Sequence, residues 1–216
     1  MRHLRDVPVG ARPVLPALAA VLMLVSGCGS GHPAASSGPG SAAPSASHPT
    51  PSPSSTATPP TAPPAKGAQV TGTGYRLRLP KGWRDVTSKL KTDTGIDRAA
   101  GAVQSVHGFR SNFNVVVTDG SLTMAQLPTV TANIRQRMLS TAPKYAVLPQ
   151  TRIAGSPAGH LAGLRSEVNK PYWIDQYVVL GPDHCYIISF SFSPKVPTHQ
   201  RQHTIDSVLT SWSWSH

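Results

Sequence analysis

The stretch YWIDQYVVL (172–180), GPDH (181–184) and, past Cys185, YIISFSF (186–192) decides the fold. Its outer parts are rich in β-branched and aromatic residues, which is the composition of strands. In the second part Ile188, Phe190 and Phe192 share one face and Ser189 and Ser191 the other, since side chains alternate across a strand. The residues between carry Gly and Pro where a turn uses them. Two strands joined this closely pair antiparallel, as a hairpin. Cys185, in the apolar run CYIISF, reads as a buried small hydrophobe. His184 beside it points to the opposite face, which argues against a shared metal ion.

Upstream, Tyr75, Leu77 and Leu79 alternate with Arg76 and Arg78, a half-buried strand, and Pro80-Lys81-Gly82-Trp83 is the turn after it. Asp85 to Lys91 is predicted as a short helix. Phe113 to Thr118 is β-branched and strand-like, ended by Asp119-Gly120. Between about 124 and 141 the period changes: Leu127, Val130, Ile134 and Met138 fall three or four apart, on one helical face. Pro128 fits the first turn of that helix. After Ile153, Gly155-Ser156-Pro157 reads as a turn, followed by a strand through Leu164 to Val168. Near the C-terminus Ile205, Val208, Leu209 and Trp212 form one apolar stripe of a last helix, which Pro197 precedes. The expected fold class is therefore α+β over residues 69–216: a mainly antiparallel sheet covered by amphipathic helices.

The first 27 residues read as an export signal. Arg2, Arg5 and Arg12 precede an apolar run from Val14 to Val25, broken at Pro16 and too short to span a bilayer, which needs about twenty residues. Ser26 and Gly27 then lead to Cys28, and V-S-G-C resembles a bacterial lipobox whose Cys is acylated. Residues 28–68 are the lipidated Cys and a linker of Pro, Ser, Thr, Ala and Gly, with Lys66 its one charged side chain. The linker lacks large apolar groups to offset its chain entropy and is expected to be disordered. These features place the chain at the cell membrane, lipid-anchored on the extracytoplasmic face.

The order of motifs carries a further likeness. YRLRLPKGWRDV, then NFNVVVTDG, a long helix, GSPAG, a Tyr-rich hairpin and a closing helix with SVLTSWSW resemble the LpqN/LpqT-type lipoproteins of actinobacteria. Those are similar to the PsbP-like α/β/α sandwich. The resemblance covers about residues 70–216. It implies that fold, an envelope location and a binding or assembly role, with no catalytic signature.

The formal charge is +11, and most of the excess lies after residue 68. A tethered basic domain is drawn to anionic lipid or wall polymer. Arg76, Arg78, Lys81 and Arg84 are the candidate contacts, expected to rim sheet surface that the helices leave uncovered. An envelope protein is an alternative partner. Nucleic acid also suits basic charge, but the export signal and the lack of aromatic–basic interleaving argue against it.

Catalytic patterns are weak. His199 and His203 stand at i and i+4, a metal-binding spacing, but Gln200 occupies the place where a zinc protease needs Glu. Ser156 in GSPAG is not a nucleophile elbow. Glu167 is the only Glu, with Asp175 its nearest acidic partner on the next strand; pairing with Arg165 or Lys170 fits it better than a glycosidase role. Gly72-Thr73-Gly74 precedes a strand and reads as a linker end rather than a phosphate loop, so no cofactor is expected. Trp214, past the apolar stripe, reads first as packing against the sheet; exposed beside basic residues it would suit sugar or lipid contact. The reading is a non-enzymatic binding or adaptor lipoprotein. A small envelope hydrolase or metal-dependent enzyme, and an assembly or chaperone-like subunit, are the alternatives.

Overall fold

A computed structural model describes residues 57–90, 95–120, 122–166 and 170–215. The export signal, Cys28, most of the linker and Glu167 lie outside the described residues.

The elements in chain order are β1 (Gln69–Gly72), β2 (Tyr75–Arg78), β3 (Trp83–Asp85), β4 (Ile96–Ala102), β5 (Asn112–Thr118), α1 (Leu127–Met138), β6 (Ala146–Ile153), β7 (Ser156–Arg165), β8 (Tyr172–Leu180), β9 (Cys185–Phe192), α2 (Thr198–Thr210) and β10 (Ser213–Trp214). Seven strands form one sheet in the order β3-β4-β5-β9-β8-β7-β6, and β1-β2-β10 form a second, smaller one. Every strand pair is antiparallel. The expected α+β class is the one found.

The β8–β9 hairpin lies at the centre of the large sheet, with Trp173 opposite Phe192 and Leu180 opposite Cys185. Its turn closes with the Gly181 N–H donating to the His184 carbonyl at 3.0 Å. Ile188, Phe190 and Phe192 point to one face, into a cluster with Tyr75, Tyr177, Ile205, Val208, Leu209 and Trp212. This cluster lies between the large sheet and the layer made by α2 and the small sheet. The opposite face, carrying Ile174, Val178 and Ile187, packs with Leu127, Ile134 and Met138 of α1. The result is a helix/sheet/helix sandwich. Ser189 and Ser191 are buried with it, so both faces of the hairpin are covered.

α1 and the chain that follows it sit close over β7 because β7 presents Gly159 to the helix and Gly163 to Lys144 and Tyr145. A Cβ at Gly159 would collide with Thr131, and one at Gly163 would lie 2.7 Å from the Tyr145 Cα. Tyr145 follows α1 and donates through its hydroxyl to Gln176 Oε1 at 2.6 Å, and Gln176 Nε2 donates to Ser189 Oγ at 2.8 Å. Buried polar groups are thereby paired, as burial requires.

Four local expectations change. The helix expected over Asp85–Lys91 is a single 3-10 turn, Thr87–Lys89. Asp85 Oδ1 accepts from the Thr87 N–H at 2.8 Å, and Thr87 Oγ1 accepts from the Ala99 N–H at 2.9 Å, so side chains compete with the helical ladder. Gly72-Thr73-Gly74 is no linker end: Gly72 closes β1 and Thr73-Gly74 is the turn into β2, with Gly74 at φ +76°. The GSPAG turn is made by Ala154 and Gly155, at φ +48° and +81°, and Ser156 already belongs to β7. Trp83 begins β3 rather than ending a turn.

Residues 57–68, read as linker from sequence, lie against the domain. Thr58 bridges Thr151 of β6 in parallel. Ala65 is buried and its N–H donates to the Ser207 carbonyl at 2.8 Å. Gly67 N–H donates to the Leu79 carbonyl at 2.8 Å, and a Cβ there would lie 2.5 Å from that oxygen.

Candidate functional site

A groove of about 670 Å³ opens beside the β3 edge of the large sheet. Trp83 of β3 and Phe192 at the end of β9 line its floor. The Trp83 ring lies 6.5 Å from Phe192 and 6.0 Å from Phe113, which fixes it from below. One wall is the chain leaving β4, with Val103 and Val106. It is pinned by Val103 N–H donating to the Gly82 carbonyl at 2.8 Å and by the tight turn that returns Phe109 N–H to the Val106 carbonyl at 3.0 Å. The other wall is the entry to α2, with Lys195, Pro197 and Gln200.

The ionisable residues of this lining are Lys81, Arg84 and Lys195; no Asp, Glu, His or Cys belongs to it. The groove is therefore a cationic recess with an aromatic floor. Such a lining attracts an anion and offers apolar contact, and it contains no carboxylate or imidazole to move protons near neutral pH. Its volume falls within the range of small-molecule sites, about 300–1,000 Å³.

The α2 wall is shaped from beneath by Arg201, which is buried. Its guanidinium lies 4.6 Å from the centroid of Trp173 and donates to the Val196 carbonyl at 2.8 Å and to Thr198 Oγ1 at 3.2 Å. Burial lowers its pKa, with the Asp175 charge acting in the opposite sense.

The four basic residues singled out by sequence fall on two surfaces. Lys81 and Arg84 line the groove. Arg76 and Arg78 project from β2 and line a smaller recess with Ser211 and Ser213. That division follows from β2 belonging to the three-stranded sheet and β3 to the seven-stranded one. Sequence reasoning missed Lys195, Val103 and Val106. Lys195 carried one signal, a cation between prolines on the approach to a helix.

Elsewhere, His199 and His203 are exposed on α2, and no group of three metal-ligating side chains forms among the described residues. Asp175 lies in β8, 3.2 Å from His160 Nε2, and His160 stacks on Tyr177 at 4.3 Å. Cys185 is buried in the cluster under α1, whereas His184 lies edge-on to Tyr186 at 6.2 Å. Trp214 is half-buried: its indole N–H donates to the Ala154 carbonyl at 3.2 Å and its ring lies 5.2 Å from Tyr186. Trp83, not Trp214, is the tryptophan that stands with cations around a recess.

No protein-family model matches the sequence. Nor does any curated protein sequence match it. Among solved structures, the chain is similar to LpqN, described as involved in cell envelope biogenesis of Mycobacterium tuberculosis: 14% identity, 69% of this chain and 90% of that one, TM-score 0.47. It is also similar to the cyanobacterial PsbP protein CyanoP of Synechocystis: 13% identity, 68% of this chain and 92% of that one, TM-score 0.50. The CyanoP match shows the fold to be PsbP-like, as expected from the sequence.

Proposed function

We propose that the chain is a non-catalytic binding protein of the bacterial cell envelope. Acylated Cys28 holds it at the extracytoplasmic face of the cell membrane, and its domain binds an anionic envelope component in the Trp83 groove. The run L-M-L-V-S-G-C supports the anchor. The observation that carries the binding role is the groove itself, whose charged side chains are all cations. In a recess, field lines converge and anions concentrate.

Two measurements test this. Cells fed a labelled fatty acid incorporate label into the wild-type chain and not into Cys28→Ala; label in both rejects the anchor. The triple variant Lys81→Gln, Arg84→Gln, Lys195→Gln loses co-sedimentation with phosphatidylglycerol vesicles and anionic wall polymer at low salt, whereas Arg76→Gln with Arg78→Gln retains most of it. Equal loss in the two variants, or none in the triple variant, rejects the groove as the site.

A further inference from the structure

The groove holds more than charge. Among the described residues the exposed large hydrophobics are Val103, Val106, Met124 and Val147, and the first two, 41% and 39% exposed, both line this one recess. They stand above the aromatic floor of Trp83 and Phe192 and across from Pro197. Apolar side chains kept in water at the rim of a cationic recess gain free energy when an apolar group covers them. An inorganic anion or a fully polar polymer would leave them wet. The Trp83 ring is itself only partly exposed.

We propose that the groove takes up a single amphiphile bearing one anionic head group, an acidic lipid monomer. Lys81, Arg84 and Lys195 hold its head, and Val103, Val106 and Trp83 its apolar part. This rests on the groove being the binding site, and deepens that reading by naming the ligand class. Head and tail each supply part of the affinity, so neither alone binds well. The chemistry of the head is that of a phosphate ester or a free carboxylate, which a polymer repeat also carries; the apolar half separates the two sources.

The test uses the mature chain from residue 28 with Cys28→Ser, so that it carries no acyl group of its own. Calorimetric titration compares dihexanoyl phosphatidic acid below its micelle concentration, glycerol 3-phosphate, and dihexanoyl phosphatidylcholine. The acidic lipid is expected to bind one to one, at least about tenfold tighter than the other two, a difference near 1.4 kcal/mol. Val103→Ser with Val106→Ser, both at exposed positions, should remove that margin by weakening the acidic lipid far more than glycerol 3-phosphate. Trp83→Phe should abolish the accompanying change in tryptophan emission. Equal binding of glycerol phosphate and the acidic lipid overturns the proposal and leaves a plain anion site. Equal binding of the two lipids overturns it by removing the head group's role. If no monomer binds, yet vesicle binding still depends on Lys81, Arg84 and Lys195, the amphiphile is rejected and the groove stands. If vesicle binding is indifferent to those cations, both fall.

Discussion

Tyr75 and Trp212 stack face to face, with ring centroids 4.1 Å apart and planes inclined by 12°. Tyr75 lies on β2 and Trp212 just past α2, so the contact joins the first hairpin of the domain to its last helix. Tyr186 of β9 stands edge-on to both, at 5.6 Å and 5.9 Å. The Tyr75 hydroxyl donates to Asp97 Oδ2 at 2.8 Å, and Asp97 Oδ1 accepts from Thr73 Oγ1 at 2.8 Å. This aromatic cage, closed by one carboxylate, fastens the small sheet onto the large one.

Trp212→Ala should therefore be among the most destabilising substitutions in the chain. The side chain is 4% exposed, and truncating a buried Trp costs about 3–5 kcal/mol. Tyr75→Phe keeps the stack and loses only the bond to Asp97, at a cost of about 1 kcal/mol. Urea unfolding followed by far-UV circular dichroism would show both as shifted midpoints with unchanged slope. A Trp212→Ala loss no larger than that of Tyr75→Phe would mean that the two sheets are held together elsewhere.

The same cage predicts an alkaline limit. Burial, and then the charge and hydrogen bond of Asp97, hold the Tyr75 hydroxyl well above the ordinary tyrosine value of 10.0. Burial likewise raises Tyr145 and Tyr177, with the Asp175 charge adding to both. Below pH about 10 the tyrosines are protonated in the folded and unfolded chain alike, and stability does not depend on them. Above it the unfolded chain releases protons that the folded chain keeps, so stability falls by roughly 1.4 kcal/mol per pH unit for each such group. The melting temperature should drop steeply between pH about 10 and 11, and Tyr75→Phe should flatten that drop. An alkaline limb of unchanged slope in Tyr75→Phe would exclude this tyrosine as its cause.

Gly163→Ala tests how α1 and the turn after it are seated. The added Cβ would lie 2.7 Å from the Tyr145 Cα and 3.1 Å from the Lys144 carbonyl oxygen, both backbone atoms that cannot rotate aside. Overpacking of this kind costs about 1–3 kcal/mol. The Tyr145 N–H donates to the Ala142 carbonyl at 2.8 Å within that turn, so the Tyr145 amide should lose hydrogen-exchange protection before global unfolding. Gly120→Ala provides the contrast: no atom lies within 4 Å of its added Cβ, and its cost arises only from φ +90°. Unaltered protection at Tyr145 in Gly163→Ala would show that the turn adjusts freely.

What could be read from sequence was what burial writes into it. The β8–β9 hairpin is buried on both faces, so it is dense in aromatic and β-branched side chains and its turn stands out. The stripe Ile205, Val208, Leu209 and Trp212 is buried as its spacing implied. By contrast β4, IDRAAGA, contains Asp, Arg, Gly and three Ala, and is a strand because β3 and β5 pair on either side of it. β6 carries Pro149 within the irregular register between Leu148 and Thr151, which hides its period. The site follows the same logic. Lys81 and Arg84 could be picked out as cations beside a tryptophan. Lys195, Val103 and Val106 meet them only because β4, next to the edge strand β3, ends opposite the entry to α2. Arg76 and Arg78, close in sequence, belong to the other sheet and point elsewhere.

Arg201 connects that architecture to binding. It does not line the groove, yet it holds the carbonyl of Val196 and the hydroxyl of Thr198 from beneath while stacked over Trp173. These contacts set the backbone that carries Lys195 and Pro197, one wall of the recess. Lysine at this position keeps the charge but lacks the planar fork, so it cannot stack on the indole and serve both acceptors together. Arg201→Lys should lower the melting temperature by a few degrees, consistent with about 1 kcal/mol in a domain of this size. It should also weaken anionic-ligand binding several-fold at low temperature, where the wild type and the variant are both folded. The salt dependence of binding should stay unchanged, because the number of cations facing the ligand is the same. Affinity equal to wild type in the folded variant would confine Arg201 to stability.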